Sequence, residues 1–151
     1  MENQNNLTLN DLAIDSLRES AKWTMFLSIV GFIFIGLMLL GGIFMTITFA
    51  AIPDEAAFGA YNPLAAIKNY IGIMYLVMAA IYFFPILYLY KYSKGIKEGL
   101  SFNNDEMIAE GLVNLKSHHK FLGIMTIVVL SLYVLAIIVG FIFAASMASG
   151  L

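Results

Sequence analysis

The stretch Trp23–Ile52, WTMFLSIVGFIFIGLMLLGGIFMTITFAAI, runs for thirty residues without a charge. As a helix at about 1.5 Å per residue it would reach roughly 45 Å. About 20 apolar residues already suffice to cross a bilayer. A soluble helix of that length would carry a polar stripe, so a buried helix of a soluble bundle is a poor fit. A cleaved signal peptide fits poorly too. The segment before Trp23 holds Glu2, Asp11, Asp15 and Glu19, and the apolar run is about twice the usual ~7–15-residue h-region. The stretch reads as a retained transmembrane helix.

Two more runs repeat the pattern. Asn69–Tyr90 lies uncharged between Lys68 and Lys91, and Phe121–Leu151 carries no charge. Of 151 residues, 61% are hydrophobic and 12% charged, against about 45–50% and about 25% in ordinary soluble domains. A domain this small cannot hide that excess in one core, and a bilayer can. The expected fold is all-α: an integral membrane protein with three transmembrane helices plus short cytoplasmic amphipathic helices. The segments are 1–22, a cytoplasmic N-terminal piece with an amphipathic helix; 23–52, span one; and 53–68, a short extracytoplasmic loop with the start of helix two. Then come 69–90, span two; 91–120, a cytoplasmic basic linker and amphipathic helix; and 121–151, span three.

Orientation follows from the lysines and arginines flanking the spans. Arg18 and Lys22 precede span one, and Lys91, Lys94, Lys97, Lys116 and Lys120 lie between spans two and three. These seven of the eight basic residues fall on one side, with Lys68 alone on the other. The expected location is the bacterial cytoplasmic (inner) membrane, multi-pass, with the N-terminus cytoplasmic and the C-terminus extracytoplasmic. Trp23 and the tyrosines Tyr88, Tyr90 and Tyr92 then sit at the cytoplasmic interface, as aromatic belt residues do. The formal charge of −2 argues against a nucleic-acid partner. The lack of cysteine excludes disulfides, thiolate metal sites and a lipoprotein anchor.

Asn10–Lys22 reads as an amphipathic helix, with Asp11, Asp15, Arg18, Glu19 and Lys22 on one arc and Leu9, Leu12, Ala13, Leu17 and Ala21 on the other. It either lies on the membrane or cytoplasmic face or runs straight into span one. Asn62-Pro63 is a helix start, with asparagine as cap and proline at the first position. That helix is expected to end near Gly95 or Gly99, where glycine can cap it. Pro85 inside it should act as a hinge or kink and free the carbonyl near Ile81. Asn103 and Glu106 have capping-box spacing and open a helix that leads into span three, with a bend at Gly111 or Gly123. The outer loop Pro53–Tyr61 is too short for a binding domain.

Candidate chemistry is sparse. His118-His119 is the lone histidine pair, and adjacent helical residues point about 100° apart, so the two do not share one metal easily. An interfacial headgroup contact or a pH-sensing role suits them better. The spans lack Asp, Glu, Lys, Arg and His, which proton relays and ion-coupled carriers normally keep at membrane depth. They offer hydroxyls instead: Ser28, Thr46, Thr48, Thr126, Ser131, Ser146, Tyr75 and Tyr82, none beside a base. No catalytic residue, no cofactor and no metal site is expected.

The glycines carry more. Gly31, Gly36, Gly41 and Gly42 recur in span one, and Gly140, Ala144 and Ala148 form a small-xxx-small ladder in span three. Such ladders let helix backbones approach, either within the chain or against another subunit. The expected packing or partner seam is Gly31, Gly36, Gly140, Ala144 and Ala148. Lys91, Lys94 and Lys97, with Trp23 and Tyr88, are the expected lipid-headgroup contacts. Anionic lipid attracts such lysines by about 1 kcal/mol each, although they also serve orientation alone.

Five stretches stand out: Ser20-Ala21-Lys22-Trp23-Thr24-Met25-Phe26-Leu27, Ile29-Val30-Gly31-Phe32-Ile33, Phe102 through Asp105, Leu112-Val113-Asn114-Leu115-Lys116, and Lys120-Phe121-Leu122-Gly123-Ile124. With them the chain resembles a family of small bacterial membrane proteins of the Bacteroidetes type, domain of unknown function 5362. The resemblance implies a bacterial inner-membrane location and no activity, and it transfers no catalytic residue. The expected function is a small inner-membrane scaffold or accessory subunit of a larger membrane complex, without catalysis of its own. Its partners would be membrane lipids and other membrane subunits, or further copies of itself. One alternative is a homo-oligomeric channel or passive transporter lined by Thr46, Thr48, Thr126, Ser131 and Tyr82. Its weakness is that Thr46 and Thr48 lie about 200° apart and Thr126 and Ser131 about 140°. A second alternative is a lipid- or stress-responsive membrane protein.

Overall fold

The computed structural model describes residues 9–51 and 68–148. They form three long helices: α1 at Asp11–Ala51, α2 at Lys68–Phe102 and α3 at Asp105–Ala148. Each is long and apolar enough to cross a membrane. The expected helix start at Asn62-Pro63 and the loop Pro53–Tyr61 lie outside the described residues.

Asn10 opens α1: its Oδ1 accepts the Ala13 N–H at 2.8 Å, and its carbonyl accepts the Ile14 N–H at 3.1 Å. That satisfies donors left open at a helix N-terminus. From Asp11 to Val30 there is no glycine or proline. Ser16 and Ser28 return their hydroxyls to the carbonyls of Leu12 and Met25, which keeps a serine compatible with the helix interior. The polar beginning and the uncharged stretch are therefore one helix of 41 residues, about 60 Å long. α3 behaves alike. Its amphipathic beginning continues without a break through Gly111 and Gly123 into the apolar part, 44 residues in all. The sequence left both arrangements open for α1; in the structure the amphipathic start of each helix and its apolar stretch are one element. A lone glycine costs a helix about 1 kcal/mol, too little to interrupt one so long.

The α2–α3 turn is tighter than expected, and both of its expected caps shift. α2 does not stop at Gly95 or Gly99; it runs to Phe102. Asn103 then takes a left-handed conformation, φ 50°, which asparagine tolerates better than most residues. The Asn104 N–H closes back on the Gly99 carbonyl at 2.9 Å, the six-to-one bond of a Schellman ending. The cap of α3 is Asn104, not Asn103: its Oδ1 accepts the N–H groups of Glu106 and Met107 at 3.0 and 3.1 Å. Asn104 therefore ends one helix and begins the next. Asn104→Ala is expected to cost about 1 kcal/mol, read by chemical unfolding in detergent with Asn103→Ala alongside.

α2 lies between the other two helices. It packs against α1 along its length and against α3 near the turn, whereas no described residue of α1 comes within 8 Å, Cα to Cα, of α3.

Candidate functional site

At the charged end of the helices, Ala21 from α1, Tyr92 and Ile96 from α2 and Ile108 from α3 form a small core. Leu17, Leu100 and Leu115 pack on it. Ile96 is fully buried, a side chain worth about 1.5–3 kcal/mol when removed from water. Two hydroxyl contacts pin α1 to α2 here. Ser93 Oγ donates to the Ala21 carbonyl, and Ser20 Oγ lies 3.0 Å from the Tyr92 hydroxyl. Tyr92 is thus buried in helix packing and does not join the exposed aromatics. Trp23 is exposed, with Phe26 edge-on at 6.4 Å, and Tyr88 is half-buried.

Lys91, Lys94 and Lys97 of α2 do not share a surface. Lys97 faces α1 and lines a groove with Arg18, Ala21, Lys22, Met25, Ser93, Leu100 and Ser101. Lys91 and Lys94 face α3 and line a different groove with Glu98, Glu110 and Asn114. Lys94 lies 3.8 Å from Glu98, an exposed pair that contributes little. At about 100° per residue Lys97 lies about 120° round the helix from Lys91 and about 60° from Lys94, and with α2 flanked on both sides it falls on the α1 side.

Glycines build the helix crossings. A Cβ added at Gly31 would lie 2.7 Å from Ile86 Cδ1 of α2. Farther along, Gly42 and Gly72 face each other. A Cβ on Gly72 would fall on Thr46 Oγ1 and come within 2.7 Å of the Gly42 carbonyl oxygen. Gly95 and Gly99 serve the α2–α3 approach rather than a helix end. A Cβ on Gly95 would lie 3.0 Å from Gly111 Cα, and one on Gly99 2.8 Å from Ile108 N. These close backbone approaches need small residues on both sides.

Of the five expected seam residues, Gly31 packs within the chain. Gly36 and Gly140 have nothing within 4 Å of an added Cβ, and Ala144 and Ala148 are exposed. They belong to a larger pattern. The last ring contact between α2 and α3 toward the apolar end is Phe84–Phe121 at 6.4 Å. Beside it His118 Nδ1 lies 2.9 Å from the Pro85 carbonyl oxygen. From Leu122 to Ala148 every residue except Met125 and Ser146 is exposed. Apart from Met125, its large apolar side chains are between 44% and 76% exposed, so a cover of lipid or protein is required to keep them from water.

Four hydroxyls of the apolar stretches bond back to their own helices. Thr46, Thr126, Ser131 and Ser146 donate to Gly42, Leu122, Ile127 and Phe143 carbonyls. Thr46 sits in the α1–α2 crossing, while Thr126 and Ser131 lie on the exposed half of α3. The two histidine rings stand edge-to-face at 5.5 Å, with His119 Nδ1 2.9 Å from the Leu115 carbonyl oxygen. Among the described residues no three His, Asp or Glu side chains gather closely enough to hold a metal ion.

Sequence reasoning missed Gly72, Gly95, Gly99 and Gly111 as packing residues and missed the His118–Pro85 contact. A hint was available for the glycines. Gly95 and Gly99 are four apart, the same small-xxx-small spacing read in span three, and the competing cap reading hid it.

Architecture and surface define an all-helical protein with three helices able to cross a membrane and one of them largely uncovered. The chain belongs to a family of unknown function, DUF5362, whose sequence profile matches residues 55–141. The match takes in α2, the Asn103-Asn104 turn and α3 as far as Phe141, so the α2–α3 hairpin is the part shared with the family. The stretches Phe102–Asp105, Leu112–Lys116 and Lys120–Ile124 lie inside it, and Ser20–Ile33 lies outside. No curated protein and no solved structure matches the chain.

Proposed function

We propose that this protein is a scaffold or accessory subunit embedded in a bacterial inner membrane, and that the apolar half of α3 is its docking arm. The charged ends of all three helices face the cytoplasm, where seven of the eight basic residues gather. α2 joins the other two helices there, and the Asn103-Asn104 turn holds α3 at a fixed register to α2. The observation that carries the reading is the bare apolar half of α3. Within lipid, helices associate by close backbone packing, not by a hydrophobic drive. Gly31, Gly42 and Gly72 are taken up where α1 crosses α2, and Gly95, Gly99 and Gly111 where α2 meets α3. Gly140, Ala144 and Ala148 are spaced for the same kind of contact and face open space, ready for a helix of another subunit.

Gly140→Leu and Ala144→Leu are expected to leave the melting temperature of the isolated protein unchanged within about 2 °C, since both side chains enter open space. In native membranes each should lower co-purification of the partner about tenfold or more, a loss of roughly 1.4 kcal/mol. Undiminished association in both variants would sink the seam. Purification of the chain as a fixed homo-oligomer, with nothing else bound, would instead favour a pore built from several copies.

A further inference from the structure

We infer that the groove between α1 and α2 at the charged end is a binding site for the phosphate headgroup of an anionic glycerophospholipid. The groove has a volume of about 430 Å³ and is lined by Arg18, Ala21, Lys22 and Met25 from α1 and by Ser93, Lys97, Leu100 and Ser101 from α2. The α1 residues recur at three- and four-residue intervals on one helix face, as do those of α2.

Three of the lining side chains are cations and none is an acid. Arg18 keeps one contact with Asp15 at 3.2 Å, which leaves the rest of its guanidinium fork available, the geometry that suits phosphate. Lys22 and Lys97 have no carboxylate partner within 4 Å among the described residues. The nearby acids Asp15 and Glu19 line the adjacent groove with Trp23 and Phe26; Arg18 and Lys22 border both grooves, and Lys97 lines only the acid-free one. The hydroxyls are already committed: Ser93 donates to the Ala21 carbonyl and Ser101 to the Lys97 carbonyl. The basic side chains are therefore the groove's donors.

Position selects a lipid over a free anion. Because α1 and α2 run antiparallel and Ser93 meets Ala21, Lys97 stands level with Arg18, and Lys22 stands one turn nearer the uncharged stretch. Met25 closes that end of the groove, and below it both helices present apolar surface. A headgroup held by the three cations would leave its acyl chains along that surface. Basic pockets between helices at the cytoplasmic boundary hold such headgroups. The site lies at the opposite end of the chain from Gly140 and stands independently of the docking-arm reading.

The test is native mass spectrometry of the full chain released from nanodiscs of equal parts phosphatidylglycerol and phosphatidylcholine. The wild-type protein is expected to retain phosphatidylglycerol in clear preference. Each lysine near an anionic surface is worth about 1 kcal/mol, or about fivefold, so Lys22→Gln with Lys97→Gln should lower retention roughly twenty-five-fold. Lys91→Gln with Lys94→Gln removes cations from the other groove, where Glu98 and Glu110 already offset them, and should lower it clearly less, by about fivefold at most. Equal retention of both lipids by the wild type would overturn the site whatever the variants do. So would an equal loss in the Lys91/Lys94 variant, and so would release of the lipid by ~10 mM inorganic phosphate, which would mark a soluble-anion site.

Discussion

Gly72→Leu is expected to separate α1 from α2 and to cost the protein about 3 kcal/mol or more. Overpacking a core usually costs about 1–3 kcal/mol, because neighbouring side chains can move aside. At Gly72 the obstacles include backbone: the Gly42 carbonyl oxygen at 2.7 Å and the Thr46 amide nitrogen at 2.9 Å from an added Cβ. Backbone within a helix cannot move without shifting the helix, so the whole crossing has to open. Gly41→Leu is the control, since that position has nothing within 4 Å. Reversible unfolding in mixed detergent micelles should place the two variants at least about 2.5 kcal/mol apart. Equal stability would mean that Gly42 and Gly72 do not meet.

The second large effect belongs to Gly111→Leu. A Cβ there would lie 3.1 Å from the Ile96 amide nitrogen and 3.2 Å from the Tyr92 carbonyl oxygen. A leucine would lift the base of α3 from α2 and open the cluster of Ala21, Tyr92, Ile96 and Ile108. We expect a loss of about 2–3 kcal/mol, with faster hydrogen exchange at the amides of Met107–Leu115. Gly123→Leu, at an open position, should leave exchange unchanged. Unchanged exchange in both variants would contradict the α2–α3 contact.

The two predictions rest on different kinds of legibility. Three charge-free runs were enough to read three helices able to span a membrane, because charge and length are properties of a segment alone. The continuity of α1 was left open in the sequence, since an amphipathic helix on a membrane surface and one continuing into a span have the same local pattern. Asn103 and Asn104 carry nearly the same cap propensity, and which of them caps depends on which takes the left-handed turn. Gly95 and Gly99 were misread because a glycine near a helix end and a glycine at a helix crossing look identical without the neighbour. The groove beside Arg18, Lys22 and Lys97 was only partly legible. Lys97 could be placed near lipid, but its partners on α1 are more than seventy positions away in sequence. The contact of His118 with Pro85 is equally non-local, and a proline inside a helix does not announce what its own carbonyl meets.

The docking arm is tested most directly by a photo-crosslinking amino acid placed in turn at each position from Ile137 to Ala148, with irradiation in native membranes. The account predicts crosslinks to one defined protein, different from this chain, with yields that rise and fall with the helical period and peak on the face of Gly140, Ala144 and Ala148. Crosslinks to lipid alone at every position, or only to further copies of this chain, would contradict it.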